Sequence, residues 1–245
     1  MAKILDVTWT IDQVDIPVHL HEERRSNRRV SITKTGIHIR LPKTRWRKAS
    51  AVDLSWAQEW VEEQVRIRPS LIEPFRLREY HNGQQIITPA HTYQLRINSE
   101  SRANGSGKVI GDTLQFRLPK DSRPKERSLT IQKLLPKVIG KHQLPRIRDR
   151  LHQINDRYIR REIKAVRIKD NSSNWGSCSS TGNINIAART LLTPLWVQDY
   201  ICVHELAHLI ELNHSAQYWS IVAGILPNYD EAERWLKTDG PSCQF

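Results

Sequence analysis

Apolar and polar residues alternate through the first forty positions. Val14, Ile16, Val18 and Leu20 share one face, Val30 and Ile32 form a second run, and Ile37, Ile39 and Leu41 a third, with Thr35-Gly36 placed to turn the chain. A period of two over short runs predicts strands, here an antiparallel sheet that ends at Pro42. Over residues 47–67 the period lengthens: Val52, Trp56, Trp60 and Val61 recur at three to four residues, which predicts a helix stopped by Pro69. Strand patterning returns at 85–88, 91–97 and 109–118, broken by a loop at Asn104-Gly105-Ser106-Gly107 and a turn at Gly111-Asp112. Residues 124–160 are basic and helical in pattern. Pro136 and Pro145 interrupt them, so two or three shorter helices are expected rather than one rod. No internal repeat and no low-complexity segment is evident.

From residue 161 the texture changes. A strand at 163–169, a polar loop over 171–180 and a strand at 182–188 precede a helix opened by Pro194, a residue accommodated in the first turn and disfavoured deeper. Two further helices are expected at 215–225 and 229–237. The fold class is therefore α+β. The helix after Pro194 carries His204-Glu205-Leu206-Ala207-His208. Imidazoles four residues apart lie one turn above the other on a single helix face and can grip one ion, while the intervening Glu205 is placed to take a proton from a water beside that ion. His214, ten residues after His204, becomes a third ligand if the helix ends after His208 and the chain turns back, with Asn213 tolerating the left-handed turn this needs. A carboxylate from a later helix, Glu231 or Glu233, is the alternative third ligand.

Charge adds an asymmetry. The net charge of +12 is carried by residues 1–160, with 31 Lys and Arg against 17 Asp and Glu; residues 161–245 have 7 against 9. A basic region of 1–160 in front of a nearly neutral metal-binding domain of 161–245 is the expected organisation. The basic region either meets a polyanion such as nucleic acid or is a highly soluble surface. Its sharpest feature, Arg24-Arg25-Ser26-Asn27-Arg28-Arg29, reads as a solvated turn or as a phosphate-contacting patch. Three scattered cysteines argue against a disulfide framework, and no run is long enough for a membrane helix, so a cytoplasmic protein without membrane partners is expected.

The motifs around the histidines resemble, in order and spacing, those of the YgjP-like metallopeptidase family, relatives of the SprT-like and WLM zinc peptidases among the zincins. The resemblance rests on Asn174-Trp175-Gly176-Ser177-Cys178-Ser179, Gly182-x-Ile184-Asn185, Pro194, residues 200–208, Asn213-His214-Ser215-x-x-Tyr218-Trp219, Pro227-x-Tyr229 and Trp235-Leu236; the arginine run at 24–29 adds a weaker likeness. It implies a zincin-like catalytic domain, bound Zn2+, His204, His208 and His214 as ligands, and Glu205 as base. The chain departs from the metzincin pattern, which has Gly where Glu211 stands and needs a later methionine turn; Met1 is the only methionine.

The expected function is zinc-dependent peptide hydrolysis, with an extended peptide or protein substrate pairing along a strand edge at 182–188 and Trp175, Asn183 and Asn185 as candidate wall residues. Tyr218 or Tyr229 could donate to the oxyanion. Two other classes remain open at this level. A metal-dependent phosphoanhydride hydrolase of nucleotides would use the same activated water, and a nucleic-acid-binding protein would use the zinc as a structural clasp.

Overall fold

A computed structural model describes residues 2–33, 35–43, 54–171 and 173–245. The chain divides between Arg76 and Leu77 into two compact units. The change of charge at residue 160 falls within the second of them.

In the first unit, strands β1 (Ala2–Ile11), β2 (Val14–Glu23), β3 (Arg29–Thr33) and β4 (Gly36–Pro42) form a sheet in the order β1-β2-β4-β3. The two hairpins are antiparallel as expected, but the central pairing of β2 with β4 is parallel. The link after β2 does not make a hairpin. It carries the chain across two strand spacings, about 10 Å, which the arginine-rich segment can span, and β4 then fills the gap. Ile16, Val18, Leu20, Ile37, Ile39 and Leu41 line one face and are buried against Ala57, Val61 and Val65 of helix α1 (Ser55–Ile67). Each such aliphatic side chain contributes about 1.5–3 kcal/mol relative to exposure. The four-residue spacing on α1 is the stripe this sheet face requires. Residues 47–53 of the expected helix, Val52 among them, lie outside the described residues.

The second unit begins with strands β5 (Gln85–Thr88), β6 (His91–Glu100), β7 (Ser106–Ile110) and β8 (Thr113–Pro119), in the order β5-β6-β8-β7 and again with a parallel central pair. The strand order of the first sheet is thus repeated, and β2, β3 and β4 recur with every boundary displaced by 77 residues (14 to 91, 29 to 106, 36 to 113). An internal repeat is present after all. It is hidden in sequence because burial requires only apolar character, so Ile16 answers Tyr93 and Ile39 answers Phe116.

Helix α2 (Pro124–Ile154) runs unbroken through Pro136 and Pro145, contrary to the shorter pieces expected. A proline inside a helix costs about 3 kcal/mol, yet this helix buries ten residues, among them Ile131, Leu135, Ile139, Ile147 and Leu151, and that burial outweighs two interruptions. It packs on β7 and β8 and, with Gly140 against Ile168, on β9 (Ala165–Lys169), so one rod joins the repeat sheet to the sheet that follows. It closes in a π-type turn, Asn155–Ile159, and the left-handed Arg160, where buried Asn155 holds both the N–H and the C=O of Arg161.

Strands β9, β10 (Gly176–Cys178) and β11 (Asn183–Ala187) form a three-stranded sheet in the order β10-β11-β9. Helices α3 (Leu195–Ala207), α4 (Ala216–Ile225) and α5 (Tyr229–Thr238) complete an α+β fold with a β-rich amino-terminal part. Among the described residues no helix is long and apolar enough to cross a membrane.

Candidate metal centre

Helix α3 is mostly buried, and its apolar residues Val197, Ile201, Val203 and Leu206 fix its rotation within the core. Pro194 caps its start, and buried Gln198 donates to the Thr193 carbonyl at 2.7 Å, bracing the first turn. With rotation fixed, His204 and His208 emerge together at the carboxy-terminal end. The helix ends at Ala207, and the chain leaves through overlapping turns, with the N–H groups of Leu209, Ile210 and Glu211 bonding back to Leu206 and Ala207. Asn213 is not left-handed; these tightened turns reverse the chain without it.

The reversal brings His214 over His204, their Nε2 atoms 3.2 Å apart. One nitrogen from each of His204, His208 and His214 lies within 4.8 Å of the others. Nitrogen ligands about 2.0–2.1 Å from a tetrahedral ion stand roughly 3.3 Å apart, so the first pair is already at that spacing. His214 is seated by its own neighbours. Ser215 caps α4 by accepting the Tyr218 N–H, and the His214 ring lies 4.7 Å from the Tyr218 ring and 5.7 Å from that of Trp219.

The far nitrogens are engaged too. Nδ1 of His208 donates to the Glu211 carbonyl at 3.1 Å, which leaves Nε2 bearing a lone pair. Nδ1 of His204 lies 3.3 Å from the Tyr200 hydroxyl, and that hydroxyl donates to Glu233 at 3.2 Å. Burial and the neighbouring imidazoles push His204 down to about 4, and burial lowers His208 as well, so both are neutral at ordinary pH, the form a cation needs. Glu233 is therefore spent on Tyr200, and Glu231 is exposed; neither joins the histidine cluster.

Glu205 is only 3% exposed, and burial pushes its carboxyl up to about 8. Oε2 has no hydrogen-bond partner among the described residues. Gly176 of β10 packs directly on this carboxylate, and a methyl group there would overlap it. Three convergent imidazoles beside an unpartnered buried carboxylate form a donor set that suits a divalent cation and a water. Cys178, close enough for Glu205 to raise it further, is pushed to about 11 by burial and remains a thiol, which removes it as a nucleophile.

A cavity of about 310 Å³ opens beside Glu205, lined by Asn174, Trp175, Gly176, Tyr200, Glu233 and Lys237. A second, of about 460 Å³, borders His208 between Thr181-Gly182 and Leu209. Trp175 lines the first cavity and is held there: Arg189 lies 3.8 Å over its ring, and its carbonyl accepts from Ala187 and from the Thr190 hydroxyl. Asn183 bonds Ser179 and Thr181 within its own turn, and Asn185 bonds Ser177 across the strand pair; neither lines either cavity. The strand edge expected at 182–188 is not open, because β11 is the middle strand; the edge beside α3 is β10. Tyr218 is fully buried and gives its hydroxyl to the His204 carbonyl, and Tyr229 stacks on Trp219, so Tyr218 has no donor left for an oxyanion.

A family model for the YgjP-like metallopeptidase domain matches residues 26–239. The chain belongs to the YgjP-like metallopeptidase family. The crystal structure of the metallopeptidase zymogen of Pyrococcus abyssi abylysin is 26% identical, over 37% of this chain and 92% of that one, with a TM-score of 0.34. No curated protein matches the chain. Sequence reasoning for this YgjP-like protein overlooked two features of the centre. Tyr200 stands one turn before His204 on the same helix face, a spacing legible in advance. The approach of Gly176 to Glu205 joins residues on a strand and a helix and left no local signal.

Proposed function

We propose that this metallopeptidase-family protein is a zinc-dependent peptidase in which His204, His208 and His214 hold the ion and Glu205 is the general base. The observation that carries this reading is the unpartnered Glu205 carboxylate buried beside three converging ring nitrogens. Zinc bound there supplies Lewis acidity to the scissile carbonyl and to the attacking water. Glu205 accepts the proton of that water, and its burial keeps the proton bound until the leaving amine takes it. Tyr200 and Glu233 hold the His204 ring on one side, and the Glu211 carbonyl holds His208 on the other. The substrate main chain lies along β10, with a side chain beside Trp175.

The nucleotide reading is disfavoured by charge. The cavity beside Glu205 offers a triphosphate one cation, Lys237, next to the Glu233 carboxylate, and no cluster of Lys or Arg to seat its phosphates. A purely structural zinc has less support, because the described cluster offers three nitrogen donors where structural sites are closed by four protein ligands. The test is metal analysis with side-by-side assay of casein, a peptide library and nucleoside triphosphates, using wild type and Glu205→Gln. The proposal expects one equivalent of zinc in both proteins and peptide hydrolysis in wild type only. Full peptide hydrolysis by Glu205→Gln, or triphosphate hydrolysis alone, overturns it.

A further inference from the structure

The repeat identifies which residues this strand order needs. Across residues 14–43 and 91–120 the identities are Glu23, Arg25, Asn27, Arg40, Leu41, Pro42 and Lys43, answered by Glu100, Arg102, Asn104, Arg117, Leu118, Pro119 and Lys120. The retained side chains do the same work in both copies. Glu23 holds Arg40 at 3.3 Å and Arg25 at 3.5 Å; Glu100 holds Arg117 at 3.5 Å and Arg102 at 3.7 Å. The Lys43 N–H donates to the Glu23 carbonyl at 2.9 Å, and the Lys120 N–H to the Glu100 carbonyl at 3.0 Å. This node locks the end of the parallel pair twice over.

Positions where the copies differ are then free of that demand. Arg24, Arg28 and Arg29 in the first crossover correspond to Ser101, Gly105 and Ser106 in the second, which closes the same path without a cation at any of them. The three arginines are exposed, and none forms an ion pair among the described residues. Arg29 even stands directly opposite Arg40 in the β3–β4 register, a like-charge pairing that disfavours the sheet; the second copy places Ser106 opposite Arg117. The Arg28 guanidinium lies 4.5 Å over the Trp56 ring, and Trp60, one turn further along the same face of α1, is 41% exposed.

We infer that the 24–29 crossover and Trp60 form a binding surface for single-stranded nucleic acid. Three unpaired guanidinium groups meet the phosphate backbone, and the exposed indole offers a stacking platform for a base. An acidic peptide would satisfy the charge but would leave the indole without a planar partner.

The second copy supplies the test variant: Arg24→Ser/Arg28→Gly/Arg29→Ser transplants residues that this strand order is known to accept. Full-length protein is titrated into a fluorescent 20-nucleotide single strand from about 50 to 200 mM salt, with poly-glutamate of matched charge as competitor. Wild type is expected to bind, and the triple variant to bind at least tenfold more weakly, with the slope of log affinity against log salt reduced by about 2, since each phosphate contact on a single strand contributes roughly 0.7. Trp60→Ala should weaken binding with the slope unchanged. If the triple variant shows a lowered melting temperature, Arg24→Ser/Arg29→Ser, which keeps Arg28 on Trp56, should reduce the slope by about 1.4. No binding by wild type, equal binding and slope in the variants, or displacement by poly-glutamate as effective as by unlabelled strand overturns the inference.

Discussion

The Tyr200 hydroxyl lies 3.3 Å from Nδ1 of His204, one helical turn away, and is itself anchored by Glu233. A ligand held from behind keeps its tautomer and ring angle, and partners of this kind affect metal affinity by about 10–100-fold. Tyr200→Phe removes the hydroxyl and little volume. It is expected to weaken zinc affinity about tenfold in a chelator competition while leaving the melting temperature of the metal-free protein within a few degrees. Zinc affinity unchanged within twofold would reduce Tyr200 to a packing residue.

The proposed third ligand, His214, can be separated from its carboxylate competitor by experiment. His214→Ala is expected to lower zinc affinity by more than about 100-fold, because it removes an inner donor, whereas Glu233→Gln should lower it by no more than about 10-fold, because it acts through Tyr200. Metal content after dialysis against graded chelator measures both. The reverse order would hand the ligand role to the carboxylate.

Local chemistry made the histidine cluster legible in the sequence. The four-residue spacing of His204 and His208, the placement of Glu205 and the His214-Ser215-x-x-Tyr218-Trp219 unit are all short-range, and the helix fixes their geometry. The α+β class was legible for the same reason, since period two and period three to four read directly as strand and helix. What failed depends on contacts distant in sequence. The parallel pairing of β2 with β4 depends on which gap a later strand fills; α2 survives two prolines because of the two sheets it packs against. The Glu233 link to Tyr200 joins residues 33 apart, and the repeat hides behind interchangeable apolar side chains. Asn183 and Asn185 show the same dependence on context: their amide nitrogens bond within the turn and to Ser177 of the neighbouring strand, contacts that strand periodicity does not announce.

Gly176 is expected to be intolerant of any side chain. Gly176→Ala drives a methyl group into the Glu205 carboxylate, and because the helix carrying Glu205 is well packed, the carboxylate itself must turn away. Overpacking of this kind costs about 1–3 kcal/mol, so the melting temperature should fall, and peptide hydrolysis should drop at least tenfold because the base is displaced. Zinc binding should persist, since the three histidines are untouched. Wild-type turnover in Gly176→Ala would show that Glu205 does not need its present position.

Removing the metal exposes the cost of burying Glu205. Its carboxyl titrates at about 8 in the folded protein against an ordinary 4.5, so the folded state holds a proton that the unfolded chain releases. Between those values the metal-free protein loses stability as pH rises, and above about 8 the loss is complete. His204, lowered to about 4, works in the other direction: its contribution is intact above the ordinary 6.5 and fades as pH falls toward 4. Glu205→Gln abolishes the first effect and keeps the second. In chelator, the variant should match wild type near pH 5 and exceed it by roughly 2–4 kcal/mol near pH 9, measured by urea unfolding. Zinc should narrow the gap at high pH, because a cation beside the carboxylate favours its ionised form. Parallel pH profiles for the two metal-free proteins would mean that Glu205 ionises in the folded state as readily as in water, and the base would then lack the proton affinity that the proposed mechanism asks of it.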